Sequence, residues 1–154
     1  MDYLLLKWLH ILSSTILFGT GIGSAFYLLV TVLGKDPRAV AHIARWVVRA
    51  DWLFTATTAV VQPLTGIWLL QLMGMALDTR WIAWSLALYI IALGCWLPVV
   101  WLQMRMRDLA QQAVDAGTSL TPQFHRMFIT WVLLGVPALL AFLGIFWLMV
   151  AKPS

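Results

Sequence analysis

The sequence predicts an all-α polytopic membrane protein, a four-transmembrane-helix bundle with helical extensions on its cytoplasmic side. Two observations predict it. Of the 154 residues, 62% are hydrophobic and 10% charged, with a mean hydropathy of +0.90, whereas a water-soluble domain carries about 25% charged residues. In addition, four apolar stretches each reach the roughly 20 residues that a helix needs to cross a hydrocarbon core about 30 Å thick. In that medium only helices and closed barrels satisfy their own backbone groups. The length suits a single transmembrane domain, 1–154, and no internal repeat, low-complexity stretch or linker interrupts it.

The first span covers about 3–33 and is long enough to tilt or protrude. It opens Met1-Asp2-Tyr3, without the basic start of a removable signal peptide, and its apolar run is too long for one, so it reads as retained. Asp36-Pro37 supplies an N-cap and a first-turn proline, which starts a helix over 38–50 that can run into the second span, about 52–73. The link at 76–79 is short and predicts spans two and three as antiparallel neighbours. The third span, about 81–103, can continue to a stop at Gly117 along a weak apolar stripe of Leu109, Ala113 and Ala116. Thr121-Pro122 repeats the capping signal before the fourth span, about 127–150.

Charge orients the bundle. Lys35, Arg38, Arg45 and Arg49 lie between spans one and two, and Arg105, Arg107 and Arg126 between three and four; the opposite side has Lys7, Arg80 and Lys152. The positive-inside rule makes the two longer connections cytoplasmic and puts both termini outside. Trp8, Trp68, Trp81, Trp84 and Trp147 fall near the outer ends, and Trp46, Trp52, Trp101 and Trp131 near the inner ends, as an aromatic belt requires; Trp96 sits near mid-span. The net charge of +4 is scattered over these connections. It suits a lipid bilayer and gives no nucleic-acid face.

His10 is the most informative position, because it lies about 10 Å inside the first span, where an unpartnered polar ring is expensive. Ser14, Leu17, Gly21 and Ser24 share its helical face, and Gly19 and Gly23 form a small-xxx-small pair. One reading is close packing, with His10 bonded to a hydroxyl on a neighbouring helix. The other is an axial metal ligand to haem b, the small residues leaving room for the flat macrocycle. Thr65, Ser85, Tyr89 and Phe142 lie level with it, and none is a histidine. A haem would then be five-coordinate, take a weak ligand from Met73 or Met75, or be shared in a homodimer. Arg38, His42, Arg45 and Arg49 follow a four-three-four spacing that places them on one helix face. That face meets either anionic lipid headgroups or the carboxylates of a ligand such as porphyrin propionates. His42 and His125 lie at the inner ends of spans two and four and cannot join His10.

In the second span, Asp51, Thr55, Thr58, Gln62 and Thr65 form a polar stripe that should face the bundle. Pro63 frees the carbonyl of Ala59, and Pro98 and Pro137 free those of Gly94 and Leu133, so three kinked helices can open a mid-membrane pocket beside Gln62 and Tyr89. Cys95, the single cysteine, reads as a packing residue. With no glutamate, no deeply placed Asp or Lys beyond Lys7 and no nucleotide-binding glycine loop, hydrolysis, phosphoryl transfer and carboxylate-based proton pumping find no support.

Leu6-Lys7-Trp8-Leu9-His10-Ile11, Gln62-Pro63-Leu64-Thr65-Gly66 and the ending from Val136-Pro137 to Lys152-Pro153 occur in an order that resembles an uncharacterised family of predicted bacterial integral membrane proteins, over nearly the whole chain. More distantly, the pattern is similar to membrane protoporphyrinogen oxidases of the HemJ type and to membrane domains of the CopD type. The first of these likenesses implies a haem-binding bundle in which His10 matches the first-span histidine. The family likeness implies a bacterial inner membrane, in which the charge distribution makes both termini periplasmic. Two other readings stay open: an accessory subunit without chemistry, packing its Gly19/Gly23 face in a homodimer or larger complex, and a small transporter or channel that acts as an oligomer.

Overall fold

A computed structural model describes residues 2–153; Met1 and Ser154 lie outside the described residues. The chain is all-helical, in the order α1 (Tyr3–Leu33), α2 (Pro37–Ala50), a π-helical turn (Asp51–Thr55), α3 (Ala56–Met73), α4 (Arg80–Asp115) and α5 (Pro122–Ala151). α2, the π-turn and α3 are continuous, so four long helices of 31, 37, 36 and 30 residues are long and apolar enough to cross a membrane. At 1.5 Å per residue they run about 45–55 Å, some 15–25 Å more than a hydrocarbon core. The excess gathers at the end that carries α2, here termed the basic end.

The helix boundaries follow the local chemistry read from the sequence. The Asp36 carboxylate accepts from the Arg38 backbone N–H at 2.9 Å, with Pro37 in the first turn. The Thr121 hydroxyl accepts from Phe124 N–H at 3.2 Å, with Pro122 behind it. α4 ends where Gly117 turns left-handed at φ +65°, and Thr118 N–H reaches back to Ala113 C=O at 2.9 Å. That six-to-one bond closes a Schellman motif, and the positive φ favours glycine there.

α1 packs against α2, the π-turn and α3, while α4 packs against α5 and α2. Although residues 74–79 join α3 directly to α4, the backbones of those two helices scarcely approach each other, which corrects the expectation of neighbouring spans. The molecule is therefore two helix pairs, α1/α3 and α4/α5, held together at the basic end. There Leu28, Val40, Met106, Ala110 and Phe124 are shut off from the surroundings, with Val32, Ala44 and Leu120 packed around them. The buried stripe of the α4 extension is Leu102, Met106, Ala110 and Ala113; Leu109 packs only partly and Ala116 is exposed. The expected stripe was thus displaced around the helix, because α2 and α5 clasp α4 between them.

Candidate functional site

His10 is held between two helices. Its Nδ1 lies 2.8 Å from Thr65 Oγ1 and its Nε2 lies 3.1 Å from Gln62 Nε2. The Ser13 hydroxyl donates to Gln62 Oε1, which turns the amide N–H toward His10 Nε2. With Nε2 accepting, the ring proton sits on Nδ1 and is donated to Thr65, whose own hydroxyl donates to Val61 C=O at 2.8 Å. A Cβ on Gly66 would stand 3.2 Å from His10 Cε1, so the absence of a side chain there lets the imidazole lie against α3. Ser13 is the α1 hydroxyl that completes the cluster. Ser14, which was expected on this face, bonds back to Ile11 C=O at 2.8 Å instead.

One turn toward the basic end, Pro63 removes the N–H that would have bonded Ala59 C=O, and the Tyr89 hydroxyl donates to that carbonyl from α4. A proline break in one helix pair is thereby repaired by the other, which ties α3 to α4 where their backbones are apart. Thr58 is buried and bonds the Phe54 carbonyl on its own helix.

Beyond Tyr89 the gap between the pairs widens into a cavity of about 320 Å³. Phe18, Gly21 and Ala25 of α1 form one wall, and Ala92, Trp96 and Val99 of α4 with Val132, Gly135 and Phe142 of α5 form the other. Nothing lies within 4 Å of where a Gly21 Cβ would stand, so its small size leaves this space open. The rim includes Ile22, Val136 and Leu139, which are 46%, 51% and 37% exposed. In a membrane these apolar residues face acyl chains, which makes the mouth lateral.

Residues with polar side chains gather at the end of the cavity nearest the basic end. Asp51, Thr55, Gln103 and Trp131 line it, and all are buried. The π-turn carries Asp51 and Thr55 into this position; Thr55 donates to Asp51 Oδ1 at 2.9 Å, and the Gln103 amide lies against the same carboxyl group. Such turns frequently mark functional sites. Among the described residues, the buried side-chain polar atoms without a hydrogen-bond partner are Trp96 Nε1, Gln103 Oε1 and Trp131 Nε1, and every one belongs to a residue that lines this cavity. An unpaired buried group costs about 1–3 kcal/mol, so their clustering in one place is informative. Sequence reasoning missed Gln103, which sat at a span boundary, and took Trp131 for a belt residue. Trp131 and Trp81 point inward, whereas Trp8, Trp46, Trp52, Trp68, Trp84, Trp101 and Trp147 are exposed as a belt requires.

The polar stripe of the second span therefore divides: Gln62 and Thr65 serve His10, and Asp51 and Thr55 serve the cavity. His10 does not line the cavity. Arg38, His42, Arg45 and Arg49 do share one exposed face of α2, with Arg49 stacked 4.9 Å over the Trp46 ring. This face belongs to the basic end, whereas His10 lies in the half that holds the termini. His42 and His125 are both exposed, and no group of three or more His, Cys, Asp or Glu side chains that could hold a metal occurs among the described residues.

The chain belongs to the DUF2269 family of predicted integral membrane proteins, whose family model matches residues 4–153. No curated protein and no solved structure matches it.

Proposed function

We propose that this member of the DUF2269 family is a membrane-embedded binding protein that takes a small apolar molecule sideways from the bilayer into the cavity between its two helix pairs. The observation that carries the reading is the cavity itself: about 320 Å³, within the range of about 300–1,000 Å³ typical of ligand sites, apolar on its walls and open at a lipid-facing rim. Positive-inside topology makes the basic end cytoplasmic and the termini periplasmic in a bacterial inner membrane, so the polar end of the cavity lies on the cytoplasmic side. A reporter fused after Lys152 tests that orientation. The cavity is tested by filling it. Gly21→Leu projects a side chain into open space and should leave the fold intact while abolishing saturable binding of a brominated alkylbenzene, read by tryptophan quenching. Unchanged quenching in that variant would sink the proposal.

The tetrapyrrole reading makes a further demand on the helices. Both ring nitrogens of His10 are engaged, the ring lies against Gly66, and the space large enough for a flat molecule is lined by other residues. The residues as they stand do not fit a macrocycle ligated by His10; Gln62 would have to leave Nε2 and α1 would have to move off α3. A Soret band that appears in the purified protein and vanishes in His10→Ala would support that rearrangement. The accessory-subunit reading draws on Gly19 and Gly23, whose missing side chains would meet nothing within 4 Å in this chain.

A further inference from the structure

Resting on the cavity reading, we infer that the ligand is a neutral amphiphile with a hydroxyl head, a phenol or an alcohol, that enters head first and lodges between Gln103 and Trp131. The unpartnered atoms choose the chemistry. Trp131 Nε1 offers a hydrogen and Gln103 Oε1 accepts one, both on residues that are nine-tenths or more buried, at 6% and 3% exposure. Both atoms are closed off from the cavity in the empty chain, so the indole and the amide each turn slightly as the head arrives; a hydroxyl, which accepts and donates at one oxygen, then satisfies the two groups together.

Other heads leave a group unpaired. A ketone or ether accepts from Trp131 and gives Gln103 nothing. An ammonium satisfies Gln103 and Asp51 but offers the indole no acceptor. A carboxylate or phosphate would face Asp51, and no Lys, Arg or His lines the cavity to balance it. The second unpaired indole, Trp96, also belongs to the cavity wall, two helical turns from Gln103 along α4. At roughly 30 Å³ per water-sized group, the space of about 320 Å³ admits a ring and a short alkyl chain between Phe18 and Phe142. A longer tail leaves through the rim at Ile22 and Val136 into the lipid.

The full chain in lipid nanodiscs is titrated with 3-bromo-5-pentylphenol, its methyl ether and 1-bromo-3-pentylbenzene, with tryptophan quenching as the readout. The phenol should reach half-saturation at about a 25-fold lower concentration than the hydrocarbon and about fivefold lower than the ether, the scale of one net hydrogen bond per step. Gln103→Leu should bring the phenol to the level of the ether. Trp131→Phe should weaken phenol and ether alike. Hydrocarbon binding retained in both variants shows that the cavity survives, and Gln103→Met serves as a closer isostere if Leu disturbs it. If the three probes bind equally while Gly21→Leu still abolishes them, the hydroxyl assignment is wrong and the cavity reading stands. If the ether matches the phenol in the unaltered chain, the Gln103 contact is wrong and the assignment falls. If no probe quenches saturably, both fall together.

Discussion

The second span carries two polar clusters about three helical turns apart, and they differ in one respect. Around His10, every ring nitrogen and the Gln62 amide find partners within the chain, across the tight contact of α1 with α3. Around Gln103, three polar atoms find none, in a gap between α1 and the α4/α5 pair. The medium is the same for both, so the contrast is one of design. A closed polar cluster in a membrane joins helices, since lipid supplies no hydrophobic drive to do so. An open one keeps its unspent hydrogen bonds for something else. The basic end explains how the gap is tolerated: there α2 turns Arg38, His42, Arg45 and Arg49 outward and packs Val40, Ala44 and Val47 inward, as a helix does when water lies on its other side. Burial at that end holds the two pairs together while their middles stay apart.

The largest expected effect breaks the closed cluster. His10→Leu removes the bonds to Thr65 and Gln62 and leaves the Gln62 amide N–H unpaired in the α1–α3 contact. At about 0.6–1.7 kcal/mol per membrane hydrogen bond, the loss should be about 1–3 kcal/mol, read as a lower midpoint in detergent unfolding. Stability equal to that of the unaltered chain would show that the cluster does not clasp the helices.

A smaller effect sharpens the comparison at the boundary between the clusters. Tyr89→Phe removes the donor that caps Ala59 C=O and should cost about 1 kcal/mol. Hydrogen exchange should rise locally around Ala59 and Pro63, where the backbone already lacks one helical bond. Exchange raised evenly through α1 as well would mean that Tyr89 supports the whole bundle rather than the proline break.

Much of this is legible in the sequence. Span lengths, the Asp36-Pro37 and Thr121-Pro122 starts and the Gly117 stop follow from hydropathy and backbone chemistry, which act within a few residues. The two halves of the Tyr89 contact were also visible, an orphan carbonyl at Ala59 and a phenol at a similar depth, but nothing local says that α4 rather than α1 supplies the donor. The sequence does not separate Ser13 from Ser14, because positions three and four residues after His10 both lie near its face, and only the crossing of α3 decides between them. Trp131 shows the larger difficulty. A tryptophan at interfacial depth serves a lipid belt or a buried wall equally well, and the choice depends on how far α5 stands from α1. The sideways departure of the α4/α5 pair from α3, on which the cavity depends, has no local signal at all, since a short link normally joins packed neighbours.

The smallest effect has the opposite sign, and it separates the two clusters most directly. Gln103→Leu deletes an acceptor that is already unpaired and puts an apolar side chain of similar size one turn from Val99. Deleting a buried acceptor that has no partner recovers part of its desolvation cost. The Gln103 amide also lies against Asp51, and losing that contact offsets part of the gain. The net change should therefore fall between zero and about 1 kcal/mol in favour of the variant, in the same detergent unfolding assay that records a loss for His10→Leu. A substitution that stabilises the empty protein while weakening its hold on a phenol is the signature of a residue kept for binding. A loss as large as that of His10→Leu would mean that the Gln103 contact with Asp51 outweighs the unpaired oxygen, and that the two clusters are of one kind.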